Sequence, residues 1–143
     1  MTITEFLSPV LVLIAWTMVM LLWLYALRIP AMQKAGIDPQ EAADTKSDWK
    51  QKIPPGTNYP ADNYNHLMEQ PTVFYALMLF AATTGGQSSL LNTLAWTYVG
   101  LRIVHSLIQA TFNRVMVRFM FFLISSLVLI AMTVLEVMRV FLS

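Results

Sequence analysis

Four long apolar blocks, separated by short polar connections, leave this chain few folds to adopt. They run over approximately 5–28, 61–83, 88–111 and 117–141. A helix rising about 1.5 Å per residue needs roughly 20 apolar residues to cross a hydrocarbon core of about 30 Å, and each block meets that length. The expected fold class is therefore all-α: an integral membrane four-helix bundle, multi-pass, built as a single domain over 1–143 with a polar loop at 29–60. Composition agrees, with 57% hydrophobic and only 12% charged residues, against about a quarter charged in soluble domains. The formal charge of +1 is too small and too dispersed to form a basic face, which argues against a nucleic-acid partner. There is no cysteine, so any sulfur nucleophile must come from a cofactor or substrate. The two histidines and the carboxylates match no HExxH or di-iron spacing, and no metal site is expected.

The ends of the blocks carry local signals. The run Phe6–Leu27 is too long for a signal h-region and lacks a basic segment before it, so it reads as a retained first span. Pro30 is expected to end that helix. Pro71, inside the second block, is expected to kink it near its start. "TTGG", Thr83 to Gly86, stops it. In the first loop, "DPQE" predicts a short helix with Asp38 as N-cap, Pro39 as first residue and Glu41 as capping-box partner. The following "KIPPGTNYP" is incompatible with regular helix. Lys34, Lys46, Lys50 and Lys52 in the first loop, with Arg114 and Arg118 in the third, mark those loops as cytoplasmic, and "TTGGQSS" carries no charge. Both termini are then non-cytoplasmic, in the inner membrane if the source is a bacterium.

That topology brings unusual polar residues to one depth. Asn65 to Glu69 lie roughly 6–12 Å in from the cytoplasmic end of the second span, and Arg102 and His105 roughly 9–14 Å from the same surface. Arg28 closes the first span at that edge and Arg118 opens the fourth. Asp62, Asn65 and Glu69 are spaced i, i+3, i+7 with His66 one position round, and Arg102, His105 and Gln109 repeat the spacing. Ionisable groups in a membrane face the bundle interior, pair, or line a wet cavity. The expected arrangement opposes the two stripes, with Glu69 as counter-charge to Arg102 or to a neighbouring subunit's arginine. Two readings stand for these residues: a functional site, or a structural ion pair fixing register, with Asn65 and His66 wetted at the interface and Arg114 and Arg118 as anchors. Glu136 and Arg139 read as a solvated interfacial pair at the far end. Trp16, Trp23 and Trp96 read as packing and lipid contact.

Two segments carry a family resemblance: "NHLMEQPTVFYAL" and "LRIVHSLIQATFNRVMVRFMFF". Together with the length and the four blocks, they resemble the MAPEG family, the membrane-associated proteins in eicosanoid and glutathione metabolism, in a bacterial-type form. Arg102, His105, Arg114 and Arg118 fall where the prostaglandin synthase branch has Arg, His, Arg and Arg. The resemblance implies a homotrimer that binds glutathione at subunit interfaces in the cytoplasmic half, with a small lipophilic molecule entering from the lipid bilayer. It implies Arg118 as the catalytic residue stabilising the thiolate. Glu69, His66, Asn65, Arg102, His105, Arg114 and Arg28 would be cofactor-binding. The activity implied is glutathione transfer to lipophilic electrophiles, or peroxidase action; the alternative is a non-catalytic relative that binds a lipid or an anion. Asp62 and Asn65 stand where the glutathione-using branches carry arginines, and Gln109 and Phe122 where they carry tyrosines.

Overall fold

The computed structural model describes residues 1–142, and their secondary structure is entirely helical. Helix α1 spans Ile3–Lys34; α2, Pro39–Ala43; α3, Tyr59–Leu67; α4, Gln70–Thr83; α5, Ser89–Ala110; and α6, Val115–Phe141. Two 3₁₀ turns, Trp49–Lys52 and Pro55–Thr57, lie between α2 and α3. Only α1 and α6 are both long and apolar enough to count as candidate membrane spans by themselves. The second block falls short because it is broken into α3 and α4.

Side-chain chemistry explains most boundaries. The Thr2 hydroxyl accepts the Glu5 N–H at 3.2 Å while the Glu5 carboxylate accepts the Thr2 N–H at 2.7 Å, a complete capping box at the head of α1. Ser88 caps α5 by accepting the Leu91 N–H at 3.1 Å. Asp38 caps α2 by accepting the Gln40 N–H at 2.8 Å, with Pro39 at its first position. Glu41 departs from the expected capping box: its carboxylate pairs instead with the Lys52 ammonium and accepts the Ser47 hydroxyl at 3.2 Å. That pairing holds the carboxylate below its ordinary pKa, chiefly through the Lys52 hydrogen bond.

Prolines mark two further departures. Pro30 does not end α1, which continues for one more turn to Lys34. It leaves at Gly36, whose φ of +65° suits glycine, as the Ile37 N–H reaches back to the Met32 carbonyl at 3.1 Å. Pro9 is also inside α1 and brings no N–H to the Glu5 carbonyl. The Asn92 carboxamide of α5 approaches that carbonyl at 3.4 Å and that of Phe6 at 3.2 Å, restoring a donor. Pro71 does more than kink the second block. With no N–H for the Leu67 carbonyl, it ends α3, and the chain turns at Met68 and Glu69 before α4 begins.

α5 is the hub, packing on α1, α3 and α6, while α4 packs on α1 and α6. The apolar core runs along the shared interior: Phe6, Leu13 and Met20 of α1, Phe74 and Met78 of α4, Leu91, Ala95 and Tyr98 of α5, Leu129 and Met132 of α6. Phe74 stacks on Tyr98 with ring centroids 4.6 Å apart. A small second cluster, Ile37, Trp49 and Ile53, packs on Ala31 and Met32 and pins the polar loop to the end of α1. Large apolar side chains of α1 and α6 face outward, among them Leu11, Leu22, Leu127 and Ile130. Such a surface suits lipid or another protein better than water.

Candidate functional site

At the loop end of the bundle, α3, α5 and α6 converge on a polar cluster. α5 supplies Arg102, His105 and Gln109, all buried, as their i, i+3, i+7 spacing requires of one face. Arg102 is completely inaccessible. Its Nη2 donates to His66 Nδ1 of α3 at 3.0 Å and to the His66 carbonyl at 3.4 Å. A guanidinium only donates, so Nδ1 offers its lone pair and the His66 ring is neutral in this arrangement. Arg102 Nε and Nη1 have no hydrogen-bond partner. The guanidinium carbon lies 5.6 Å from the centre of the Phe122 ring of α6, a cation–π contact that offsets part of the burial.

The two imidazoles stack, His66 on His105, with centroids 5.1 Å apart and planes 18° off parallel. Phe122 packs edge-on against His66 at 5.2 Å. His105 Nδ1 donates to the Arg118 carbonyl at 2.7 Å, joining α5 to the first turn of α6. Its Nε2 lies 3.2 Å from Gln109 Oε1, an oxygen that can only accept. The Arg118 side chain donates to Asn113 Oδ1 at 2.7 Å. Asn113 makes the α5–α6 turn with φ +47°, a conformation asparagine tolerates better than most residues. His66, His105, Gln109, Arg118 and Phe122, with Val115 and Phe119, line a cavity of about 280 Å³, near the lower limit for small-ligand pockets.

The structure gathers His66, Arg102, His105 and Arg118 as the two motifs predict. It does not oppose the two stripes. Asp62, Asn65 and Glu69 are exposed, and the buried side of α3 is Pro60, Ala61, Asn63 and Leu67. Glu69 therefore makes no ion pair with Arg102. The spacing does put the three residues on one side, but that side is the exposed one, because α3 packs through Pro60, Ala61, Asn63 and Leu67. Arg114 is exposed at the head of α6. Arg28 turns to the loop, its guanidinium 5.2 Å from the Trp49 ring and 3.3 Å from Asn58 Oδ1.

Five residues beside the cluster, Asn63, Gln70, Tyr98, Ser106 and Ser126, were not singled out by sequence reasoning. The Ser106 hydroxyl accepts both the Trp16 indole N–H, at 2.9 Å, and the Asn63 carboxamide. One hydroxyl thus ties α1, α3 and α5 together, and Trp16 is a polar anchor as well as a packing residue. The signal available was the spacing of Pro60, Asn63 and Leu67. One layer deeper, Gln70 donates to Ser126 at 2.7 Å and accepts from Tyr98 at 3.2 Å.

An all-helical chain with two membrane-length apolar helices and a buried polar cluster is a membrane helical bundle. A family model described as the MAPEG family matches residues 6–138, nearly the whole chain, and the protein belongs to that family. No curated protein and no solved structure matches it.

Proposed function

We propose that this MAPEG protein binds glutathione in the cavity between α3, α5 and α6 and delivers its thiolate to lipophilic electrophiles or lipid hydroperoxides. The observation that carries this reading is Arg102. A fully buried guanidinium with Nε and Nη1 unpaired costs several kcal/mol unless an anion completes it. Neither of the two ion pairs among the described residues involves Arg102 or Arg118. Arg118 lines the cavity, Arg102 lies behind the cavity-lining His66, and with no carboxylate paired to either the site favours an anionic ligand. A thiol of pKa about 8.5 is mostly protonated at neutral pH, and a guanidinium within a few ångströms favours the thiolate. Arg118 is the group assigned that role. In transfer to a chlorinated aromatic, the C–S bond forms as chloride leaves, and the thiol proton is released when the cofactor binds.

In this reading the chain crosses the membrane four times, as α1, α3 with α4, α5 and α6. The lysine-rich loop is cytoplasmic and both termini lie opposite. Copies assemble as a homotrimer, which gives exposed Asp62 and Glu69 partners that their own protomer lacks. A second reading, non-catalytic binding of a lipid or other anion, is favoured by those same residues. An Asp62 carboxylate and a neutral Asn65 beside the site weaken the hold on a tripeptide with two carboxylates.

Titrating the detergent-purified protein with glutathione, while following thiolate absorbance and turnover of a chlorinated aromatic, separates the two. Binding with turnover, lost in Arg118→Ala, supports the transferase. No binding at millimolar glutathione sinks it, and binding without turnover leaves the non-catalytic reading standing.

A further inference from the structure

At the loop end of the bundle, on a different side of α1, lies a larger cavity of about 450 Å³ lined by Ala26, Leu27, Pro30, Ala31, Lys34, Ala35, Lys52 and Pro54. Three features describe what would fit it. The first is depth. The apolar run of α1 ends at Leu27, and by helical rise Ala35 stands about 12 Å beyond that level. A headgroup layer of roughly 5–8 Å on each side of the hydrocarbon core falls within this interval. The groove therefore begins at the acyl boundary and rises through the level of lipid phosphates.

The second is charge. Lys34 stands in the last turn of α1 and Lys52 on the facing segment, so two ammonium groups overlook an apolar floor of Leu27, Pro30, Ala31 and Pro54. Lys52 spends one of its three N–H donors on Glu41, and Lys34 supplies the net charge. The third is an acceptor without a helical donor. Pro30 has no N–H for the Ala26 carbonyl. At Pro9 the fold mends the same defect with Asn92, whereas Ala26 borders the open groove. The segment carrying Lys52 and Pro54 is held in place by Trp49 and Ile53 packed on Ala31 and Met32, so the groove is a formed feature of the fold.

We infer that this groove is a binding site for an anionic glycerophospholipid: Lys34 and Lys52 hold the phosphodiester, a headgroup hydroxyl donates to the Ala26 carbonyl, and the glycerol and first methylenes lie on Leu27 and Pro30. Phosphatidylglycerol has this chemistry. The site is independent of the polar cluster, and its test needs neither glutathione nor turnover.

The delipidated full chain in detergent is titrated with phosphatidylglycerol or phosphatidylcholine, following bound lipid per chain by native mass spectrometry and the thermal midpoint. Expected is one retained phosphatidylglycerol per chain with a raised midpoint, and weaker retention of phosphatidylcholine. Lys34→Ala weakens phosphatidylglycerol about fivefold, while Lys46→Ala, whose lysine lies outside the groove, leaves it unchanged. Equal retention of the two lipids overturns the proposal, as does an equal loss in Lys46→Ala, which would signify diffuse surface charge. Glycerol 3-phosphate competing at the same concentration as the lipid also overturns it, since the site would then serve a free anion. Lipid choice and competition are read on the unaltered protein, so they decide the matter even if a variant does not fold.

Discussion

Two arginines at opposite ends of the bundle are treated in opposite ways. Arg139, near the end of α6, donates through Nε and Nη2 to the Glu136 carboxylate, at 2.8 Å for the shortest contact. Its Nη1 and Nη2 reach the carbonyl and hydroxyl of Thr84 at 3.1 and 2.7 Å. The expected pair forms and Arg139 is partly exposed, but Glu136 is only 5% exposed, so the carboxylate is not solvated as expected. The pair is a latch holding the end of α6 to the α4–α5 turn. Its fit is close: a Cβ on Gly86 would stand 2.7 Å from Glu136 Oε2. Arg102 is buried as deeply as any residue, yet two of its nitrogens have no partner. The complete ion pair ties two elements of the fold together, whereas the buried cation is enclosed without a carboxylate.

The largest effect expected from breaking this contrast is at the latch. Arg139→Ala strands the enclosed Glu136 carboxylate and should give the largest fall in the thermal midpoint in detergent. Gly86→Val comes next. Its branched side chain must displace Glu136 or Arg139, at about 2 kcal/mol, and a double variant with Arg139→Ala should be less than additive because the two share one contact. Arg102→Met should behave differently in kind. Replacing an unpaired buried cation by a side chain of similar length removes a desolvation cost, so ligand-free stability should hold or rise by about 1 kcal/mol, while the midpoint shift produced by an anionic ligand disappears. A loss as large as that of Arg139→Ala would show that Arg102 is a structural partner after all. The smallest effect belongs to the exposed Lys52–Glu41 pair. The Lys52 hydrogen bond holds the folded-state pKa of Glu41 below its ordinary value of 4.5, so its contribution is present above about pH 4.5 and fades as the pH falls through the depressed value. Glu41→Gln should remove that acid-side slope and leave neutral-pH stability nearly unchanged.

How far the site was legible depends on the distance over which each signal acts. The stripe Arg102, His105 and Gln109 was read correctly because α5 is unbroken from Ser89 to Ala110, and periodicity holds along an unbroken helix. The stripe on the second block faces outward because spacing groups residues on one side of a helix without saying which side packs, and α3 packs through Pro60, Ala61, Asn63 and Leu67. His66, one position round from that stripe, is turned far enough to pack on His105 and Phe122. Glu136 was misjudged because its burial comes from Thr84 and Gly86, some fifty residues away in the chain. Asn63 carries only its spacing with Pro60 and Leu67 as a local mark and Ser106 none; their importance exists where three helices meet.

What the amino-acid order determined alone is local or additive. Long apolar blocks require helices in lipid, Ser88 and Asp38 start helices by offering acceptors to free N–H groups, and Gly85 and Gly86 let the chain turn. These outcomes rest on interactions within a few residues, or on hydrophobic area that sums along the chain. The tertiary structure decided which way α3 faces, which carboxylate pairs with which arginine, and that Arg102 is enclosed without an ion-pair partner. Those depend on the rotation of one helix about its axis relative to another. A two-residue break resets that rotation, and only the packing of the assembled bundle selects its value.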